Sequence, residues 1–258
     1  MLRISYLLTV FLLFGACQNK SKTSDINKEE IVIGAGVGMR DVVEELVKNY
    51  CEKTHENIKT TYASSGVLSR QIETGAHIDI FLAANMKWVD YLEKRDLTDT
   101  TTRDYLAQNM MVAIVPVNSS IDTLLFDKKT ELDKLFEGPL SVGDPSHVPA
   151  GNYAVSILKK YGWYESLQPR FLPAKDVRAA TMMVEMRECK LGFVFQSEAF
   201  QNNKVKVIGK APADSHPKIV FGLVMTKGAS QGAKKFYKYI TSETGKAVWT
   251  KYGFSVIE

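Results

Sequence analysis

Leu140-Ser141-Val142-Gly143-Asp144-Pro145-Ser146-His147-Val148-Pro149-Ala150-Gly151 reads as a short strand, Leu140–Gly143, that runs into a turn built of Asp, Pro, Ser and Gly. A helix follows over Tyr153–Tyr161. The same theme recurs outward in both directions. On the N-terminal side, Ile31–Ile33 is a strand ending in Gly34-Ala35-Gly36-Val37-Gly38. Val42, Val43, Leu46, Val47 and Tyr50 then recur at helical spacing. Ile58–Ala63 runs into Ser64-Ser65-Gly66 and a helix through Leu68 and Ile72 that stops near Gly75. Asp79–Ala83 is a strand, Met86–Lys94 a helix, and Met110–Val115 a buried strand closed by Pro116. On the C-terminal side come a helix over Lys175–Arg187 and strands at Leu191–Phe195, Val205–Ile208 and Ile219–Met225. Helices at Ala233–Ile240 and Lys246–Tyr252 complete the chain. Alternating strands and helices mean an α/β fold whose sheets are covered on both faces. Ligands of such folds sit beyond the carboxyl ends of strands, where helices begin. Three turns of that kind, Gly34–Gly38, Ala63–Gly66 and Gly143–Gly151, are rich in Gly, Ser and Pro. Helix starts carry unpaired N–H groups and the positive end of a dipole, so they suit anions.

Composition narrows the class. The 258 residues are 45% hydrophobic and 24% charged, with 33 Lys+Arg against 29 Asp+Glu. That excludes a disordered chain and argues against an extended basic surface for nucleic acid. Residues 1–16 carry one charge, Arg3, and an apolar run, Leu7–Phe14, too short to span a bilayer. They read as a secretory signal. Gly15-Ala16-Cys17 places small residues before a cysteine, as in a bacterial lipobox, so Cys17 is the expected lipidation site; an ordinary signal with an incidental cysteine is the alternative. Residues 17–29 are polar and read as a tether. The protein is therefore expected outside the cytoplasmic membrane, held there by acyl chains. Cys51 and Cys189 are expected as two unpaired, mostly buried thiols.

Enzyme readings find little support. Gly34-Ala35-Gly36-Val37-Gly38 lacks the last glycine of a dinucleotide fingerprint, where Met39 stands, and the second strand ends in Ala63-Ser64-Ser65 rather than in an acid. There is no G-x-S-x-G elbow, no phosphate-binding G-x-x-x-x-G-K-[ST] loop and no H-E-x-x-H. Cys51 and His55 are spaced to share a helix face as metal ligands, yet no second pair completes a site. Asp144 and His147 fall in one turn as an acid–base pair or, more simply, as turn chemistry. Trp88, Trp163 and Trp249 each fall in a helical stretch and serve packing.

Several segments, in order, resemble the periplasmic molybdate-binding proteins. They are Tyr62-Ala63-Ser64-Ser65-Gly66, Gln71-Ile72-Glu73-Thr74-Gly75-Ala76, Asp79-Ile80-Phe81 and Lys87-Trp88-Val89-Asp90. The run Val142–Ala154, then Asp176-Val177-Arg178, Gly192–Ala199 and Lys251-Tyr252-Gly253-Phe254 continue the series. The resemblance covers residues 30–258. It implies a two-lobed periplasmic-binding-protein fold (type II) whose cleft lies between lobes joined by two crossover strands, Leu106–Val115 and Pro217–Met225. One lobe would be residues 30–107 with 220–258, the other 108–219. It further implies a non-enzymatic, monomeric solute-binding lipoprotein that captures molybdate or tungstate and passes it to an ABC permease.

The family holds a tetrahedral dianion with hydroxyls and backbone N–H groups. Carried over by motif, Ser65 donates through its hydroxyl and N–H, and Ala150 and Val177 through their N–H groups. Gly38 stands where the family has a serine, and Phe195 where it has a tyrosine. Each missing hydroxyl forgoes a bond worth about 1.5–3 kcal/mol to a charged ligand; Arg40 and Gln196 are nearby candidates to replace them, although Arg40, one helix turn from the site, reads first as a solvated surface residue. Ser65 taken alone also fits a plain helix N-cap. A different tetrahedral oxyanion is the alternative ligand, and an extracytoplasmic α/β hydrolase the alternative from another class.

Overall fold

The computed structural model describes residues 29–200 and 202–257. The expected signal, Cys17 and all of the tether except Glu29 lie outside the described residues.

In chain order, β1 (Ile31–Gly36) passes through a 3-10 turn at Val37–Met39 into α1 (Arg40–Thr54). β2 (Ile58–Ala63) leads into α2 (Ser65–Glu73), and β3 (Ile80–Ala83) into α3 (Met86–Glu93). β4 (Thr98–Gln108), β5 (Met111–Pro116) and the single turn α4 (Leu132–Leu135) follow. β6 (Leu140–Gly143) leads into α5 (Pro149–Tyr161) and α6 (Tyr164–Leu167), β7 (Phe171–Ala174) into α7 (Val177–Glu185), and β8 (Leu191–Phe195) into α8 (Gln196–Phe200). β9 (Val205–Lys210), β10 (Val220–Thr226), α9 (Gln231–Thr241), α10 (Glu243–Lys251) and β11 (Ser255–Val256) close the chain.

The strands form two sheets, ordered β11-β4-β10-β3-β1-β2 and β7-β6-β8-β5-β9. In the first, β1 runs parallel to β2 and β3, and β10 antiparallel to β3 and β4. In the second, β6 is parallel to β7 and β8, and β5 antiparallel to β8 and β9. The chain passes between sheets at Asn109–Met110 and again over Ala211–Ile219. The first crossing is thus narrower than the stretch expected from sequence and the second lies mostly before it, because β4, β5 and β10 each belong wholly to one sheet.

Side-chain alternation explains how the first sheet is covered. Ile31, Ile33 and Ala35 of β1, with Ile80 and Leu82 of β3, face Val42, Val43 and Leu46 of α1 and Phe236 of α9. Val32, Phe81 and Ala83 face the opposite way, onto Leu68, Trp88 and Leu92 of α2 and α3. Buried Asp79 ties this layer together: Oδ2 accepts from Val32 N at 2.8 Å and Oδ1 from Ser230 N at 3.0 Å.

Three readings need correction. β1 continues through Gly34 to Gly36, in register with β2, so the first turn is only Val37–Met39. Glycine at 34 serves close packing, since a β-carbon there would lie 2.8 Å from Ile78 Cδ1. β4 was expected only at its end, from Leu106, because its Thr98–Asp104 part is polar and carries no apolar alternation. Trp163 stands in the joint between α5 and α6 rather than in a helix, donating from Nε1 to Thr130 O at 2.7 Å. Cys51 on α1 and Cys189 before β8 are not joined to each other, and burial pushes the Cys189 thiol up to about 11.

Candidate functional site

The carboxyl ends of β1, β2 and β8 meet the starts of α2, α5 and α7 around one small pocket with a cavity volume of ≈ 10 Å³. Its wall includes Gly36, Val37, Gly38, Ser64 and Ser65 from one sheet's turns. Val148, Pro149, Asp176, Val177 and Phe195 come from the other's. No lysine or arginine lines it.

Ser65 is the first residue of α2 and is 1% exposed. The N-cap position belongs to Ser64, so the plain N-cap reading of Ser65 does not hold. Ser65 Oγ instead accepts a hydrogen bond from Ala84 N at 2.9 Å. Its own hydrogen is thereby left to be donated elsewhere. Val177 is the first residue of α7, behind the N-cap Asp176, whose Oδ1 accepts from Ala179 N at 2.7 Å. Ala150 is the second residue of α5, fully buried and one place beyond the wall residue Pro149. Among the described residues, the N–H groups of Ser65, Ala150 and Val177 have no acceptor. Three helix starts therefore bring unpaired donors, with the positive ends of their dipoles, to one place.

Gly38 and Phe195 also line the pocket. Phe195 ends β8, is 1% exposed, and packs edge-on against Phe221 at 5.2 Å and Tyr153 at 6.1 Å. The Tyr153 hydroxyl does not replace the one Phe195 lacks: Tyr153 is not in the pocket wall but lines a separate cleft, and burial pushes its hydroxyl up to about 12. Arg40 is exposed, lying 4.7 Å over the Tyr62 ring, and Gln196 is outside the pocket wall, so neither takes the role suggested for it. The group that does approach Gly38 is Glu198, which sequence reasoning missed. It stands beside Arg178, and Arg178 in turn reaches across to Asp41 of α1 at 2.5 Å.

Other contacts hold the two sheets' layers together at this point. Gly66 N donates to His147 O at 3.2 Å, and Ser64 Oγ lies 2.8 Å from His147 Nδ1. His147 Nε2 is 3.7 Å from Asp144 Oδ2, too far for a hydrogen bond. Asp144 Oδ1 accepts from Ser146 N and Oγ at 2.8 and 2.6 Å, and these bonds hold its carboxyl below the usual range. Turn chemistry therefore accounts for Asp144. The Ser64–His147–Asp144 trio is a closed structural contact, with Ser64 only 4% exposed, and not a nucleophile primed for hydrolysis. Among the described residues, no group of three or more His, Cys, Asp or Glu is arranged to hold a metal ion, Cys51 and His55 included.

A family profile described as bacterial extracellular solute-binding protein matches residues 31–255. The chain belongs to that family. This solute-binding protein is 35% identical over 229 residues to the molybdate-binding protein ModA of Escherichia coli (strain K12), covering 88% of this chain and 89% of that one. It is 34% identical over 254 residues to YvgL of Bacillus subtilis (strain 168), covering 96% and 95%. YvgL is named, provisionally, as an ABC transporter substrate-binding lipoprotein. In fold alone, it matches the periplasmic molybdate-binding protein of Azotobacter vinelandii with a TM-score of 0.77 at 20% identity, over 89% of this chain and 100% of that one. The architecture is the two-lobed type II periplasmic-binding-protein fold. The solute-binding protein is an extracytoplasmic transport component homologous to the ModA proteins, not an enzyme.

Proposed function

We propose that this solute-binding protein captures a tetrahedral oxyanion, molybdate or tungstate, and delivers it to an ABC importer in the cytoplasmic membrane. The observation that supports this most is the acceptor-free N–H groups of the wall residues Ser65 and Val177, with that of Ala150 next to the wall residue Pro149 and the free Ser65 hydroxyl hydrogen, around one small pocket without a cationic side chain. Such a wall replaces the hydration of a dianion with fixed dipoles. Lobes of residues 30–107 with 220–258 and of 108–219 would part to admit the anion and close on it as a monomer. The anchor proposed is acylated Cys17, reached through the tether 17–29 after loss of the signal, and the lipoprotein name of the Bacillus relative agrees with it. No bond of the solute is made or broken.

Gly38 and Phe195 favour one second reading, a different tetrahedral oxyanion, because two hydroxyls that would grip molybdate are missing. Calorimetric titration with molybdate, tungstate, sulfate and phosphate separates the two. Submicromolar binding of the first two with little response to the others supports the first reading. Selective binding of sulfate or phosphate supports the second, and no response to any of the four would sink both.

The backbone donor at α7 can be removed without breaking the helix. Proline is well accommodated at the first helical position, and Asp176 already has the extended conformation (φ −161°, ψ 172°) that a residue before proline prefers. Val177→Pro is expected to weaken anion binding by about tenfold or more, with the melting temperature nearly unchanged. Unaltered affinity would remove Val177 N–H from the site.

A further inference from the structure

Glu198 lies three residues beyond Phe195 and points back to the opposite lobe. A β-carbon at Gly38 would stand 2.8 Å from Glu198 Oε1 and 3.1 Å from Val177 Cγ1. Gly38 and Val177 both face the anion pocket, so this carboxyl stands directly behind its wall. Its side chain is 5% exposed, and no hydrogen bond to it is found among the described residues. Arg178 Nε is 4.0 Å from Oε2, but that guanidinium makes its short contact with Asp41, Nη2 to Oδ2 at 2.5 Å. Asp41 faces Glu198 from α1, Glu185 from α7 and Asp176 from the N-cap of α7. Lys204 and Tyr252 line the same cleft but turn to Glu185 (3.6 Å) and Glu45 (2.8 Å). Burial pushes the Glu198 carboxyl up to about 7 against the pull of Arg178, and the three acids add to the push.

We propose that Glu198 is a specificity-determining residue of the oxyanion site: its carboxyl takes the space a serine side chain at position 38 would need, and the dianion is accepted together with one proton drawn from solvent onto Glu198. This inference rests on the oxyanion reading above. An ionised carboxylate behind the wall would repel a dianion through dry protein with little screening. The neutral acid removes that repulsion and places an O–H group beside Gly38, where the hydroxyl is missing.

The sign of the pH dependence follows. Binding favours the protonated form, so affinity is full below the carboxyl's pKa and falls as pH rises through it, by up to about tenfold per pH unit. The test is calorimetric titration of the purified protein with molybdate between about pH 6 and 9, in two buffers of different ionisation enthalpy. Wild type is expected to lose affinity above about pH 7 and to take up close to one proton per anion there. Glu198→Gln, which mimics the neutral acid, is expected to bind with a flat profile and no proton uptake. Gly38→Ser alone is expected to bind at least tenfold more weakly, and to recover when combined with Glu198→Ala. Wild-type binding without pH slope or proton uptake, or a slope that survives in Glu198→Gln, would overturn the inference while leaving the oxyanion reading intact. Failure of the wild type to bind at every pH would overturn both.

Discussion

Gly151→Ala is expected to lower folding stability by about 3 kcal/mol or more, and to abolish anion binding with it. Gly151 sits in the first turn of α5, where the helix start presses on the end of β6. A β-carbon there would lie 1.9 Å from Gly143 O and 2.6 Å from Gly143 C. Both are backbone atoms, so no side chain can swing aside to make room. β6 itself is held between β7 and β8, and Val148 closes the other side of Gly143, with Cγ1 2.4 Å from where a β-carbon on Gly143 would stand. Relief requires α5 to lift off the strand, which carries the Ala150 N–H away from the pocket. Urea unfolding should show a midpoint shifted well below wild type, and calorimetry no molybdate heat. A variant with an unchanged midpoint would mean that the α5 start is not clamped to β6 as described.

Ser65→Ala is expected to weaken anion binding by about 100-fold and to lower the melting temperature by a few degrees. Two bonds are lost together. The hydroxyl donor to a charged ligand is worth about 1.5–3 kcal/mol, which is roughly one to two factors of ten in affinity. The Ala84 N–H, 2.9 Å from Ser65 Oγ and buried, loses its acceptor at about 1–2 kcal/mol. The two readouts separate the roles. A lowered melting temperature with full affinity would leave Ser65 as a structural tie between α2 and the end of β3, and remove it from the anion site.

The fold was legible where local signals and tertiary demands agree. β2, β6 and β8 keep the limits read from sequence because each is a short run closed by a glycine, a serine pair or a helix start. β4 was legible only from Leu106 because the rest of it is polar and its strand state is imposed by pairing with β10 on one side and β11 on the other. The turn after β1 was read three residues early, since glycine marks a loop locally yet here allows Ile78 to pack against a central strand.

The site divides the same way. Ser65, Ala150, Val177 and Phe195 were named from motif order, and the structure brings all but Ala150, with Gly38, into the wall of one pocket. The sequence carries no trace of how Ser64, His147 and Gly66 join the two layers, because those contacts link residues some eighty positions apart. Glu198 was missed for a related reason. In Gln196-Ser197-Glu198-Ala199 it reads as a polar residue of a helix start, and only the approach of Gly38, from the other lobe, turns it into a buried carboxyl.

Oxyanion capture by helix starts is tested most directly by a crystal structure of the protein grown with molybdate, its molybdenum located by anomalous scattering. The expected peak lies between the starts of α2, α5 and α7, with oxygens about 3 Å from Ser65 Oγ and from the N–H groups of Ser65, Ala150 and Val177. A peak in the neighbouring cleft between Asp41 and Arg178, or an anion held chiefly by lysine or arginine side chains, would contradict it.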